Sequence, residues 1–158
     1  MSYDVVSLLP AFCAAFLGQS AFEEGKVAFH ERLNVAVLDY SVESLHAVDD
    51  YLDAVRPYKD IIENQDYTNT ILATGCYVGE VLRRNAFETW RWANYDEFIE
   101  KQPQMKELVP EDLMSAAVLI SADNRKSTYP LNKVIRNLEE GPENEIYYYV
   151  ARYAADPK

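Results

Sequence analysis

Apolar residues recur at three- and four-residue intervals through the first half of the chain, and this spacing predicts helices there. The run from Val5 to Leu17 reads as a core helix interrupted near Pro10, with Gly18 as its stop. Ser20 and Glu23 form a capping-box signature for a second helix that turns Val27, Ala28 and Phe29 inward. Val35 to Leu38 is a short apolar run, either the end of that helix or a strand, and periodicity does not separate the two. Ser41 is an N-cap for a helix carrying Val42, Leu45, Val48, Leu52 and Val55, which Pro57 ends. A long helix follows over residues 59–85. Its inner stripe holds Ile71, Leu72, Gly75, Val78, Gly79 and Leu82.

The texture then changes. Residues 88–95 alternate aromatic and polar side chains and suit a strand with Trp90 and Trp92 on one face. Ala116 to Ile120 reads as a buried strand. Pro130 opens a helix with Val134, Ile135 and Leu138 on its apolar side, and Gly141 closes it. Glu145 to Tyr153, with consecutive tyrosines at 147–149, has the composition of a strand. Helices first and strands later predict an α+β domain, with several helices packed on one side of a small, mostly antiparallel sheet. The single domain spans 1–158, with N-terminal helices in 1–33, a central helix pair in 41–86 and a strand-rich part with one helix in 88–153.

Composition narrows the function classes. The chain has 158 residues, 49% of them apolar, enough for a core without staples. Its formal net charge of -11 opposes binding to a nucleic-acid backbone or an anionic membrane, favours solubility, and means that any charge-steered partner, a basic protein, would carry the opposite sign. The two cysteines, Cys13 and Cys76, lie in apolar surroundings and read as buried free thiols in a reducing, cytoplasmic compartment. The apolar start lacks a preceding Lys or Arg, carries Asp4, and is too short to span a bilayer.

Candidate chemistry concentrates in Gly75-Cys76-Tyr77-Val78-Gly79-Glu80-Val81-Leu82-Arg83-Arg84-Asn85. Glycines four apart on a helix let a neighbouring backbone approach, which offsets their cost of up to about 1 kcal/mol each. Glu80 can pair with Arg83 and Arg84 at i,i+3 and i,i+4. Glu80, Arg83, Arg84 and Asn85 form a candidate ligand site, because forked guanidinium donors suit carboxylates and phosphates. Asp49, Asp50 and Asp53 match a diphosphate–metal pattern, but the second metal-binding stretch it needs is missing, and they occupy the polar face of a helix. His30 and His46 have no Cys or His at ligand spacing. No cofactor, metal or catalytic set is expected. The leading expectation is a non-catalytic binding or interaction module, of immunity or regulatory type. The alternative is a small-molecule binder or enzyme using Glu80, Arg83 and Arg84. A homodimer through Trp92 and the tyrosine-rich segment is a third expectation.

Three segments carry a resemblance: Ser44-Leu45-His46-Ala47-Val48-Asp49-Asp50-Tyr51-Leu52, then Gly75 to Arg84 with Trp90, then Pro130-Leu131-Asn132-Lys133-Val134 with Gly141. Together they resemble a group of uncharacterised bacterial proteins over roughly residues 39–149. The resemblance implies a shared fold and a recurring helix that includes Glu80, Arg83 and Arg84. It implies no reaction.

Overall fold

The computed structural model describes residues 4–155 and has an α+β architecture. Its organising element is α3 (Asn64–Asn85), about 33 Å long at 1.5 Å per residue. Every residue from Asn69 to Leu82 is buried, so α3 is surrounded on all sides. Around it pack α1 (Leu9–Phe16), α5 (Pro130–Glu140) and α6 (Ile146–Ala154), with α2 (Leu45–Val55) against α5 and α6. Three short strands, β1 (Trp90–Ala93), β2 (Val118–Ser121) and β3 (Ser127–Thr128), form an antiparallel sheet in that order. Trp90, Trp92 and Leu119 face the main core, with Trp92 opposite Leu119. Ala93, Val118 and Ile120 face a smaller cluster built on Phe98 of α4 (Tyr95–Lys101), so helices cover both faces of the sheet.

Three local expectations are corrected. Residues 20–29 are not helical. Gly18 and Gly25 adopt φ of 75°, and the backbone after Gly25 is held by side chains of α3. Asp66 Oδ1 accepts from Lys26 N at 2.9 Å, and Thr70 Oγ1 accepts from Ala28 N at 2.8 Å. These long-range bonds win over the local capping-box signal. The second correction is α6, expected as a strand. Ile146, Tyr149, Val150 and Tyr153 recur at i, i+3, i+4 and i+7, and the first three are buried. That period outweighs the β-preference of tyrosine. The third concerns residues 56–61, which form a separate 3-10 turn, so α3 begins at Asn64 rather than near residue 59. Val35–Val37 is also a 3-10 turn, neither of the two alternatives expected there. The interruption near Pro10 is the boundary between a 3-10 turn and α1, whose first turn has no use for the missing N–H.

The start of α6 is capped from outside its own segment. Asp49 Oδ1 accepts from Ile146 N at 2.7 Å, and Asp49 Oδ2 accepts from Tyr147 N at 2.9 Å. Burial nevertheless pushes the Asp49 carboxyl up to about 6, against these two donors. The native state therefore holds this proton more tightly than the unfolded chain, whose aspartates titrate near about 4. The Asp49 contribution to stability is present below that value and is lost as pH rises through about 6. Asp49→Asn, which keeps an accepting oxygen, is expected to flatten the stability curve between about pH 4 and 6. Urea unfolding at several pH values checks this, and an unchanged slope in that window contradicts it.

Candidate functional site

The two glycines of α3 lie where expected, against its neighbours. An added Cβ at Gly75 would meet Leu131 Cδ2 at 2.2 Å and Leu131 Cα at 3.1 Å. One at Gly79 would meet Trp92 Cη2 at 2.1 Å and Pro130 Cγ at 3.1 Å. Gly79 thus makes room for the Trp92 indole, and this brings Trp92 Nε1 to Glu80 Oε2 at 2.7 Å.

Glu80, although charged, is only 5% exposed. Arg83 grips it with two bonds, Nε to Oε2 at 2.7 Å and Nη2 to Oε1 at 3.0 Å. Arg84 Nε donates to Oε1 at 3.2 Å. Burial pushes the Glu80 carboxyl up, but the bonds from Arg83, Trp92 and Arg84 outweigh it and hold the group below the usual glutamate range. Each carboxylate oxygen has two donors, so the buried charge is neutralised inside the cluster.

The same cluster fixes the chain entering α2. The Arg84 guanidinium lies 3.8 Å from the centroid of the Tyr40 ring. Asn85 Nδ2 donates to the Tyr40 carbonyl at 2.8 Å. Tyr40 has φ of 63°, an uncommon conformation for a tyrosine, and its N–H donates to Tyr77 Oη at 3.0 Å. Tyr77 Oη also meets Ser44 Oγ at 2.8 Å. Glu80, Arg83, Arg84 and Asn85 are therefore brought together, but toward one another and toward Tyr40 and Trp92. Tyr40, Tyr77 and Trp92 were not among the expected site residues. Tyr77 lies one turn before Glu80 on α3, but no local spacing points to Tyr40 and Trp92, which come from a loop and a strand.

Other sequence candidates separate. Asp49 turns to α6, Asp53 pairs with Arg56 at 3.0 Å, and Asp50 is exposed. Among the described residues no group of three or more His, Cys, Asp or Glu could hold a metal ion. His30 Nε2 donates to the Phe16 carbonyl at 2.7 Å. Trp92 faces Glu80, and the tyrosines of 147–149 lie on a helix rather than on a strand. Cys13 and Cys76 are buried free thiols. Burial pushes the Cys13 thiol up to about 12 and the Cys76 thiol well above its ordinary value. Neither is expected to react with iodoacetamide at pH 8 in the folded protein, and both are expected to react in denaturant. Mass spectrometry after a timed pulse reads this directly; rapid native labelling of Cys76 contradicts the fold.

Two open clefts lie elsewhere. One, of about 690 Å³, is lined by Asp4, Thr68, Asn94, Asp96, Glu111 and Asp112 among others. The other, of about 530 Å³, combines Phe22, Val27, Phe29 and Ile62 with His30 and Asp66. No helix among the described residues is long and apolar enough to cross a membrane.

Fold and cluster together define a small α+β domain built on a central buried helix, with a neutralised carboxylate near that helix's C-terminal end. Compared with family models, with curated proteins and with solved structures, the chain matches none of them.

Proposed function

We propose that the protein is a non-catalytic interaction module that docks a basic protein, in the manner of an immunity or regulatory partner. The observation that carries this reading is where charge is left uncompensated. Arg83 and Arg84, adjacent on α3, are committed to Glu80. By contrast, Asp96, Glu111 and Asp112 at the larger cleft, and Glu43, Asp50, Glu143 and Glu145 around α2 and α6, have no basic partner among the described residues. Surface carboxylates in that arrangement raise the encounter rate with a cationic surface and set its orientation.

The small-molecule alternative at Glu80, Arg83 and Arg84 has less to support it, because Glu80 already accepts from Arg83 Nε, Arg83 Nη2 and Arg84 Nε and both clefts described are lined by other residues. Affinity capture with the wild-type chain and with a charge-reversed form (Asp50→Lys, Glu111→Lys, Glu145→Lys) tests the main reading. The expected result is a basic protein retained at low salt by the wild type and lost by the reversed form. Capture of the same proteins by both forms would sink it. A second copy of the chain is the other partner considered, and sedimentation at several concentrations measures that self-association.

A further inference from the structure

The carboxylates named above occur in two places. At the larger cleft the ring is Tyr95, half-buried and with its hydroxyl donating to the Val109 carbonyl; at the other, Tyr148 is exposed. On α2, His46 and Asp50 are four residues apart and both exposed, so they share a face. The His46 ring stacks on Tyr147 of α6, with centroids 3.9 Å apart and planes 20° from parallel. Tyr147 in turn meets Tyr148 edge-on at 5.2 Å, and Tyr148 is 66% exposed. Asp49 fastens this edge by capping α6, so the rings are held on a fixed junction between two helices. Glu145, immediately before α6, lies three residues from Tyr148, and Glu43 lies three residues before His46. Lys133 and Arg152 are the neighbouring cations. The Arg152 guanidinium lies over the rings of Tyr149 and Tyr153, and the Lys133 ammonium is 5.8 Å from the Tyr149 ring, so among the described residues no cation lies over Tyr148.

We infer that the His46–Tyr147–Tyr148 ladder, flanked by Glu43, Asp50 and Glu145, is the surface that receives an arginine-bearing segment of the basic partner. The inference rests on the reading that the partner is basic and adds where it docks and through which side chain. An exposed tyrosine face beside carboxylates suits a guanidinium better than an ammonium: the planar group stacks on the ring while its edge donates to the acids. The chain already uses this mode internally, where Arg84 covers Tyr40 and donates to Glu80. The larger cleft offers carboxylates without such a ladder.

The test titrates hexa-arginine and hexa-lysine peptides into the isotope-labelled 158-residue chain at low salt, followed by amide shifts. Hexa-arginine is expected to bind more tightly than hexa-lysine, with the largest shifts at residues 43–50 and 145–149. Tyr148→Ser, at an exposed position, is expected to weaken hexa-arginine binding by about three- to fivefold and hexa-lysine binding by less, with the chain still folded by its melting curve. Equal binding of the two peptides, indifference to Tyr148→Ser, or shifts centred on Asp96 and Glu111 would overturn the inference and leave the basic-partner reading standing. Binding of neither peptide would remove both.

Discussion

Gly79→Ala is expected to destabilise the fold by about 1–3 kcal/mol, although alanine is the better helix former by up to about 1 kcal/mol. The sign is decided by what the new methyl meets. It would stand 2.1 and 2.4 Å from two carbons of the Trp92 ring, with Pro130 at 3.1 Å behind. That ring is poorly placed to retreat. Its Nε1 is bound to Glu80, and its backbone pairs with Leu119 in the sheet. Relief therefore requires either loss of a buried hydrogen bond or movement of β1 away from α3. Gly75→Ala is expected to cost less, since the closest atom there is a terminal methyl of Leu131 with no hydrogen bond to lose, although the Leu131 backbone at 3.1 Å must also yield a little. Denaturant midpoints for the two variants measure the order. A stabilised Gly79→Ala would show that the indole is free to move and that the approach of α3 to β1 is not tight.

The same contacts explain what could be read from the sequence. The inner stripe of α3 was legible because glycine and aliphatic positions repeat at the helical period, and α5 was legible because Pro130 and Gly141 punctuate it. The α+β class followed from the order of the patterns. Where reading failed, a distant residue decided the outcome. Residues 20–29 carry a sound local capping signal, yet Asp66, Asn69 and Thr70 of α3 take up the surrounding backbone groups. The tyrosine run was read from composition, while its period was helical and its N-terminal amides were met by Asp49, nearly one hundred residues earlier in the chain. At the candidate site, the pairing of Glu80 with Arg83 and Arg84 was legible as i,i+3 and i,i+4 spacing. The burial of Glu80 was not, because it depends on Trp92 filling the space left by Gly79. The three segments of the resemblance meet here: Ser44 reaches Tyr77, Gly75 receives Leu131, and Gly79 receives Pro130 beside Trp92.

Replacing Glu80 tests that account hardest. Glu80→Ala is expected to cost about 2–4 kcal/mol, somewhat below the full loss for breaking a deeply buried pair, because the freed arginines can rehydrate. Arg83 and Arg84 are 39% and 46% exposed, whereas the carboxylate they hold is 7% exposed. Most of the loss comes from the Trp92 N–H left without its acceptor and from release of the Tyr40 turn that Arg84 covers. Glu80→Gln keeps an oxygen for Trp92 but removes the charge, so a smaller loss is expected together with a change in pH dependence. The folded carboxyl titrates below its unfolded value, so its contribution is fully present above about pH 4.3 and is lost as pH falls through the folded value. Wild-type stability should therefore fall on the acid side more steeply than that of Glu80→Gln. The effect runs opposite in sign to the Asp49 contribution, which declines as pH rises toward about 6. Melting curves from pH 3 to 7 for the wild type, Glu80→Gln and Asp49→Asn separate the two. If Glu80→Ala melts with the wild type at every pH, the carboxylate is not holding the fold together, and the arginines beside it become free to hold a ligand.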